Sequence, residues 1–63
     1  MAISDNIKRF RKRNHLTIRA LAEKIGVDFS TVSHWETGYS EPRAKHRKRL
    51  IDIFDITESE LFK

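Results

Sequence analysis

Cysteine is missing from this chain of 63 residues, which excludes disulfides and thiolate-ligated zinc and leaves nothing that argues for export to an oxidising compartment. A reduced, cytoplasmic setting is the default expectation. Long apolar runs are missing too: none approaches the roughly 18 to 20 residues of a membrane span, and the opening MAISDNIKRF lacks the apolar core of a signal peptide. The chain is expected to be soluble, with no membrane partner. His15, His34 and His46 are too scattered for a local metal motif, and no nucleophile, base and orienting group cluster in the sequence. No enzyme, metal, cofactor or small-molecule ligand is expected. Strand alternation, internal repeats and low-complexity tracts are absent as well. The length admits one domain, residues 1–63, and a chain this short buries only about 60% of the surface it exposes when unfolded.

What the chain does have is positive charge. The net charge of +4 conceals an asymmetry, since residues 1–51 carry 12 Lys/Arg against 5 Asp/Glu whereas residues 52–63 carry 1 against 4. A basic body with an acidic end is an electrostatic footprint for a polyanion, although charge alone does not distinguish nucleic acid from solubilisation.

The periodicity predicts five short helices. Ser4 or Asp5 can cap a first helix running to about Asn14, with Ile3, Ile7 and Phe10 as its apolar side. Its Lys8, Arg9, Arg11, Lys12 and Arg13 form either a solvated face or a phosphate-tracking one. Thr17 is placed to cap a second helix, about Ile18 to Ile25, with Leu21, Ala22 and Ile25 inward and Gly26 ending it. Asp28 is placed to cap a third, Phe29 to Glu36 or Thr37, stopped by Gly38. At about 100° per residue Val32 and Trp35 share its buried face, leaving Ser30, Ser33, His34 and Thr37 outward and Phe29 at the margin. Trp35 is read as core rather than as a stacking residue. Pro42 suits the first turn of a fourth helix ending near Phe54, with Ala44, Leu50, Ile51 and Phe54 inward and Arg43, Lys45, Arg47, Lys48 and Arg49 making its first half basic. Asp55 is expected in the left-handed conformation, and Thr57 to Glu60 reads as a capping box opening a fifth helix that carries Leu61 and Phe62.

Ala22, Gly26 and Val32 have the spacing of a helix-turn-helix: a small residue where two helices nearly touch, a glycine in the turn, and a branched apolar residue inside the second helix. With Ile7, Phe10-Arg11, Leu16-Thr17, Leu21 to Val27, Ser30 to Ser33, Trp35-Glu36, Gly38, Pro42, Phe54 and Leu61 in order, the chain resembles the lambda-repressor/Cro-like helix-turn-helix family over about Ile3 to Leu61. The resemblance implies an all-α bundle of five helices whose third helix lies in the major groove of double-stranded DNA.

Carried onto this sequence, the resemblance makes Phe29, Ser30, Ser33 and His34 the candidates for base readout. A serine hydroxyl serves donor or acceptor bases, a neutral imidazole offers one of each, and Phe29 either lies against a thymine methyl or merely extends the core. Thr17, Thr31, Thr37, Ser40, Arg43 and Lys45 are the candidates for phosphate or, for Arg43, minor-groove contact. Arg11, Ala22, Gly26, Val32, Trp35 and Glu36 are the structural set, with Glu36 expected to pair with Arg11 as in relatives of the family. Two residues depart from the pattern. Ile18 stands where the family commonly has a glutamine that touches the backbone, and Arg47 where the fourth helix often has a leucine, which thins the core and extends the basic surface.

The function expected is sequence-specific DNA binding by a Cro- or repressor-type regulator, as a homodimer on a palindromic operator. Leu61 and Phe62 look exposed and suit self-association. They suit equally well a second class, a protein-interaction module such as an antitoxin or anti-repressor-binding domain.

Overall fold

The computed structural model describes residues 3–63, which form five α-helices and no strand: α1 (Ile3–Arg13), α2 (Ile18–Ile25), α3 (Phe29–Thr37), α4 (Ala44–Phe54) and α5 (Glu58–Phe62). Among these residues no helix is long and apolar enough to cross a membrane. α1 packs on α3 and α5, α2 on α3 and α4, and α4 also on α5. The helices enclose one core of Ile3, Ile7, Phe10, Leu21, Ala22, Ile25, Val32, Trp35, Leu50, Phe54 and Leu61.

Three helix ends solve the same problem alike. Each leaves carbonyls without intrahelical partners, and each turns one residue into the left-handed region so that the amide after it reaches back five residues. His15 (φ 59°), Gly26 (φ 90°) and Asp55 (φ 57°) take that conformation. The amides of Leu16, Val27 and Ile56 then bond the carbonyls of Arg11, Ala22 and Ile51 at 3.1, 3.0 and 3.2 Å. Asp55 was legible in the sequence as such a corner. His15 was read only as a break in the helical pattern, although histidine is among the non-glycine residues enriched at positive φ.

The N-termini are less uniform. Thr17 caps α2 by accepting the Ala20 amide at 3.0 Å. Thr57 and Glu60 form the reciprocal box, with the Glu60 amide 3.2 Å from the Thr57 hydroxyl and the Thr57 amide 2.8 Å from the Glu60 carboxylate. Asp28 occupies the cap position of α3 but its side chain bonds no helix amide. Ser4 and Asp5, expected as caps, lie inside α1, which is already helical at Ile3. Pro42 also falls outside its helix: Arg43 is the extended cap residue and α4 begins at Ala44. The Pro42 carbonyl is instead held by the Arg47 guanidinium at 2.9 Å.

That bond changes the inward side of α4. Ala44, expected to face the core, is exposed at the first position of the helix, while Arg47 lies half-buried one turn before Leu50. Its guanidinium sits 5.5 Å from the Phe62 ring centroid and its Nε lies 4.0 Å from the Glu58 carboxylate. Arg47 therefore fills the leucine-like position by laying its stem under α5 rather than by extending the basic surface.

The C-terminal helix corrects a second expectation. Leu61 is fully buried, not exposed, because α5 folds back against α1 and α4. Its carbonyl accepts the side-chain amide of Asn6, itself wholly buried, at 2.9 Å. Only Phe62 remains outward, 45% exposed. Removing the buried side chain in Leu61→Ala is expected to cost about 2–5 kcal/mol, and Phe62→Ala less than about 1 kcal/mol. Urea unfolding monitored by Trp35 fluorescence measures both, and equal losses would contradict the placement of Leu61.

The cap of α5 also predicts a pH dependence. The Thr57 backbone amide, opposed by slight desolvation and helped by the Thr57 hydroxyl, Lys63 and Arg13, holds the Glu60 carboxyl below its ordinary range. The folded state then binds fewer protons than the unfolded one in that window, so the contribution is present above the unfolded value and lost as pH falls through the folded one. Acid titration of stability in Glu60→Gln should accordingly be flatter through the carboxylate range than in the unaltered chain.

Candidate nucleic-acid interface

The angle between α2 and α3 is set by two small features. Ala22, buried where the helices meet, lets them approach, and Gly26 makes the turn. A Cβ on Gly26 would meet nothing within 4 Å, so it is the left-handed φ and not crowding that demands glycine there. Val32 and Trp35 then bury one side of α3, at 0% and 3% exposure.

A buried ion pair fastens the same helix to α1. The Arg11 Nε and Nη2 atoms donate to the two Glu36 carboxylate oxygens at 2.6 and 3.1 Å, and Nη1 donates to the Leu16 carbonyl at 2.8 Å. The side chains are only 10% and 6% exposed. One guanidinium thus ties together α1, the α1–α2 turn and the last turn of α3. Bidentate geometry of this kind fixes orientation more surely than it adds net stability.

With Val32, Trp35 and Glu36 turned inward, the remaining positions of α3 face out. Phe29, Ser30, His34 and Thr37 are exposed, and Thr31 and Ser33 are half-buried. Phe29 does not extend the core: its ring is 47% exposed, with the Arg19 guanidinium 5.4 Å from its centroid. The His34 ring lies 4.6 Å from that of Tyr39, tilted by 44°, and Tyr39 is 80% exposed in the loop after Gly38. The loop is closed by the Ser40 amide, which donates to the His34 carbonyl at 3.3 Å, and the Thr37 hydroxyl donates to the same carbonyl at 3.2 Å. Thr37 is thereby partly committed to its own helix.

Of the positions expected at a phosphate backbone, Thr17, Ser40, Arg43 and Lys45 are all exposed. Thr17 already uses its hydroxyl as a cap, leaving its O–H proton free to donate. Arg43 and Lys45 flank the open N-terminus of α4, where Arg43 makes no side-chain cap bond. His46 lies half-buried with its ring 5.5 Å from that of Trp35. Burial first, then the charges of Lys45 and Arg43, lower its pKa and favour the neutral ring. Arg49, though exposed, donates to the Lys24 carbonyl at the end of α2 at 2.8 Å.

Two residues on this face escaped the sequence reading, Arg19 and Tyr39. Neither belongs to an apolar stripe, and their partners Phe29 and His34 come from other elements. Only the juxtaposition reveals them.

An all-α domain in which two short helices meet at a small residue and a glycine turn, with the outer face of the second left open, is a helix-turn-helix domain. The family model described as helix-turn-helix matches residues 7–61, and the chain belongs to that family. It is 32% identical over 57 residues to the HTH-type transcriptional regulator AnsR of Bacillus subtilis, covering 90% of this chain and 49% of the relative. Over 61 residues it is 30% identical to the HTH-type transcriptional activator BcrR of Enterococcus faecalis, covering 97% of this chain and 30% of the relative. The chain thus spans half or less of the length of these two relatives, both of them transcription regulators. Its fold is that of the P22 c2 repressor, solved in complex with a synthetic operator, with a TM-score of 0.92 at 24% identity over 100% of this chain and 96% of that one.

Breaking the Arg11–Glu36 pair from one side is expected to be costly, because the surviving charge stays buried. Arg11→Met or Glu36→Gln should each lose about 3–5 kcal/mol, and the double variant should lose much less than their sum. A double-mutant cycle by urea unfolding reads this coupling. Simple additivity would mean that the pair is not a unit.

Proposed function

We propose that this chain is a sequence-specific double-stranded DNA-binding domain of a cytoplasmic transcriptional regulator, with α3 in the major groove. The observation that carries the reading is the division of α3 into a locked side and an open one. Val32, Trp35 and Glu36 hold the helix to the body, while Phe29, Ser30 and His34 stand exposed and Ser33 lies at their edge. Serine, imidazole and an apolar ring together offer donors, acceptors and a methyl-sized contact, which is what base edges in the major groove require.

The hydroxyl and basic residues around that side supply the other half of recognition. Thr17, Thr31, Thr37, Ser40, Arg43 and Lys45 position the duplex through phosphates, with Arg43 as the alternative entrant to the minor groove. Kinship to the named regulators, and to the fold of a repressor solved on an operator, supports the same reading. The protein acts as a symmetric dimer of Cro or repressor type on a palindromic operator, its two half-sites about 34 Å apart. Phe62 is the apolar side chain that α5 offers a second copy, Leu61 being spent on the core.

Selection of bound sequences from random duplex should return a palindrome. On that duplex, Ser33→Ala and His34→Ala should change base preference at defined positions by about 1–3 kcal/mol. Arg43→Ala should weaken all sequences and lower the salt slope by about one. A uniform loss in all three variants would overturn this division of roles. Absence of duplex binding even at low salt would favour a protein-interaction module instead.

A further inference from the structure

The most conspicuous unassigned contact on the outer face joins α2 to the first residue of α3. Phe29 is an aromatic ring nearly half exposed in a chain that can bury few. The Arg19 guanidinium, from the first turn of α2, lies over the ring at 5.4 Å. Among the described residues no carboxylate lies within ion-pairing distance of Arg19. Its charge is therefore balanced only by the ring quadrupole and by solvent.

We propose that Arg19 and Phe29 act as one reading unit, in which Arg19 holds the ring so that Phe29 contacts the 5-methyl group of a thymine while the guanidinium binds a phosphate beside it. The proposal rests on the major-groove reading given above. Three features argue for it. The guanidinium lies 5.4 Å from the ring centroid, and the ring stays nearly half exposed to a ligand. A phenyl ring has no hydrogen-bond code, so the one feature of a base edge that it distinguishes is the methyl that thymine alone carries among the four DNA bases. A guanidinium held near a ring can still donate its outward N–H groups, and these suit a phosphate oxygen. Ile18, next to Arg19, cannot provide a polar link between α2 and the reading helix, and the cation over the ring supplies one at the neighbouring position.

The experiment uses the duplex selected by the unaltered chain, with each thymine replaced in turn by deoxyuridine, which removes only the methyl. One thymine per half-site should show about fourfold weaker binding on replacement, the value of one buried carbon. In Phe29→Ala that thymine/uracil ratio should fall to one. In Arg19→Gln the ratio should shrink and the salt slope should drop by about one. Arg19→Lys should keep the salt slope yet lose part of the ratio, since an ammonium lacks the planar fork of the guanidinium. Thermal melting should be the same for all four proteins, because both side chains are exposed, and that separates positioning from folding. If no thymine shows the effect, or the effect survives Phe29→Ala, the methyl contact is refuted while DNA binding stands. A ratio unchanged in Arg19→Gln refutes the role of Arg19, and failure of the unaltered chain to bind any duplex refutes both this proposal and the reading beneath it.

Discussion

The Arg11–Glu36 pair is the constraint on which the geometry of this small domain turns. A core of eleven side chains, most of them aliphatic, is non-directional and would tolerate several rotations of a nine-residue helix. A bidentate guanidinium–carboxylate contact does not. Because the same guanidinium also holds the Leu16 carbonyl, it fixes α3 relative to both α1 and the segment that leads into α2. The cost is the desolvation of two charges, which burial at this depth does not recover as net stability. What is gained is the heading of Ser30, Ser33 and His34.

Around that clasp the chain relies on local backbone solutions, because it is too short to override them by packing. Its helices end within a few residues of one another, so each terminus must be satisfied in the turn itself. Left-handed corners at His15, Gly26 and Asp55 do this with the same five-residue backbond. Only one of the three is glycine. A left-handed histidine costs on the order of 1 kcal/mol, and the turn at His15 leads directly into Leu16, whose carbonyl accepts from Arg11.

Much of the fold was legible because it follows from periodicity and caps. α2, α3, the Asp55 corner and the Thr57–Glu60 box stand where the residues put them. The errors have a common cause. Ser4, Asp5 and Pro42, and the side-chain bond but not the cap position of Asp28, were read from propensity alone, and each is a residue that permits a cap or a start without compelling one. Leu61 and Ala44 were read from position near an end, where the fold-back of α5 and the intrusion of Arg47 decide burial. On the outer face, outward residues of α3 could be identified by phase. The Arg19–Phe29 and His34–Tyr39 contacts could not, since each joins residues of different elements.

The domain's small size has a consequence for how its function can vary. Stability resides in side chains with almost no exposure, and on α3 these are Val32 and Trp35, with Glu36 beside them held by its ion pair. The exposed positions between them contribute little to folding, since substitutions at such sites rarely change stability by more than about 0.5 kcal/mol. On the DNA-binding reading proposed above, a marginally stable domain cannot let the residues that read bases double as its core, because each change of specificity would then risk unfolding. Interleaving the two sets at helical spacing on one nine-residue helix separates them. Phe29 is the residue that tests the separation, an apolar side chain on the open side, and the overlying Arg19 supplies from the surface the restraint that the core does not.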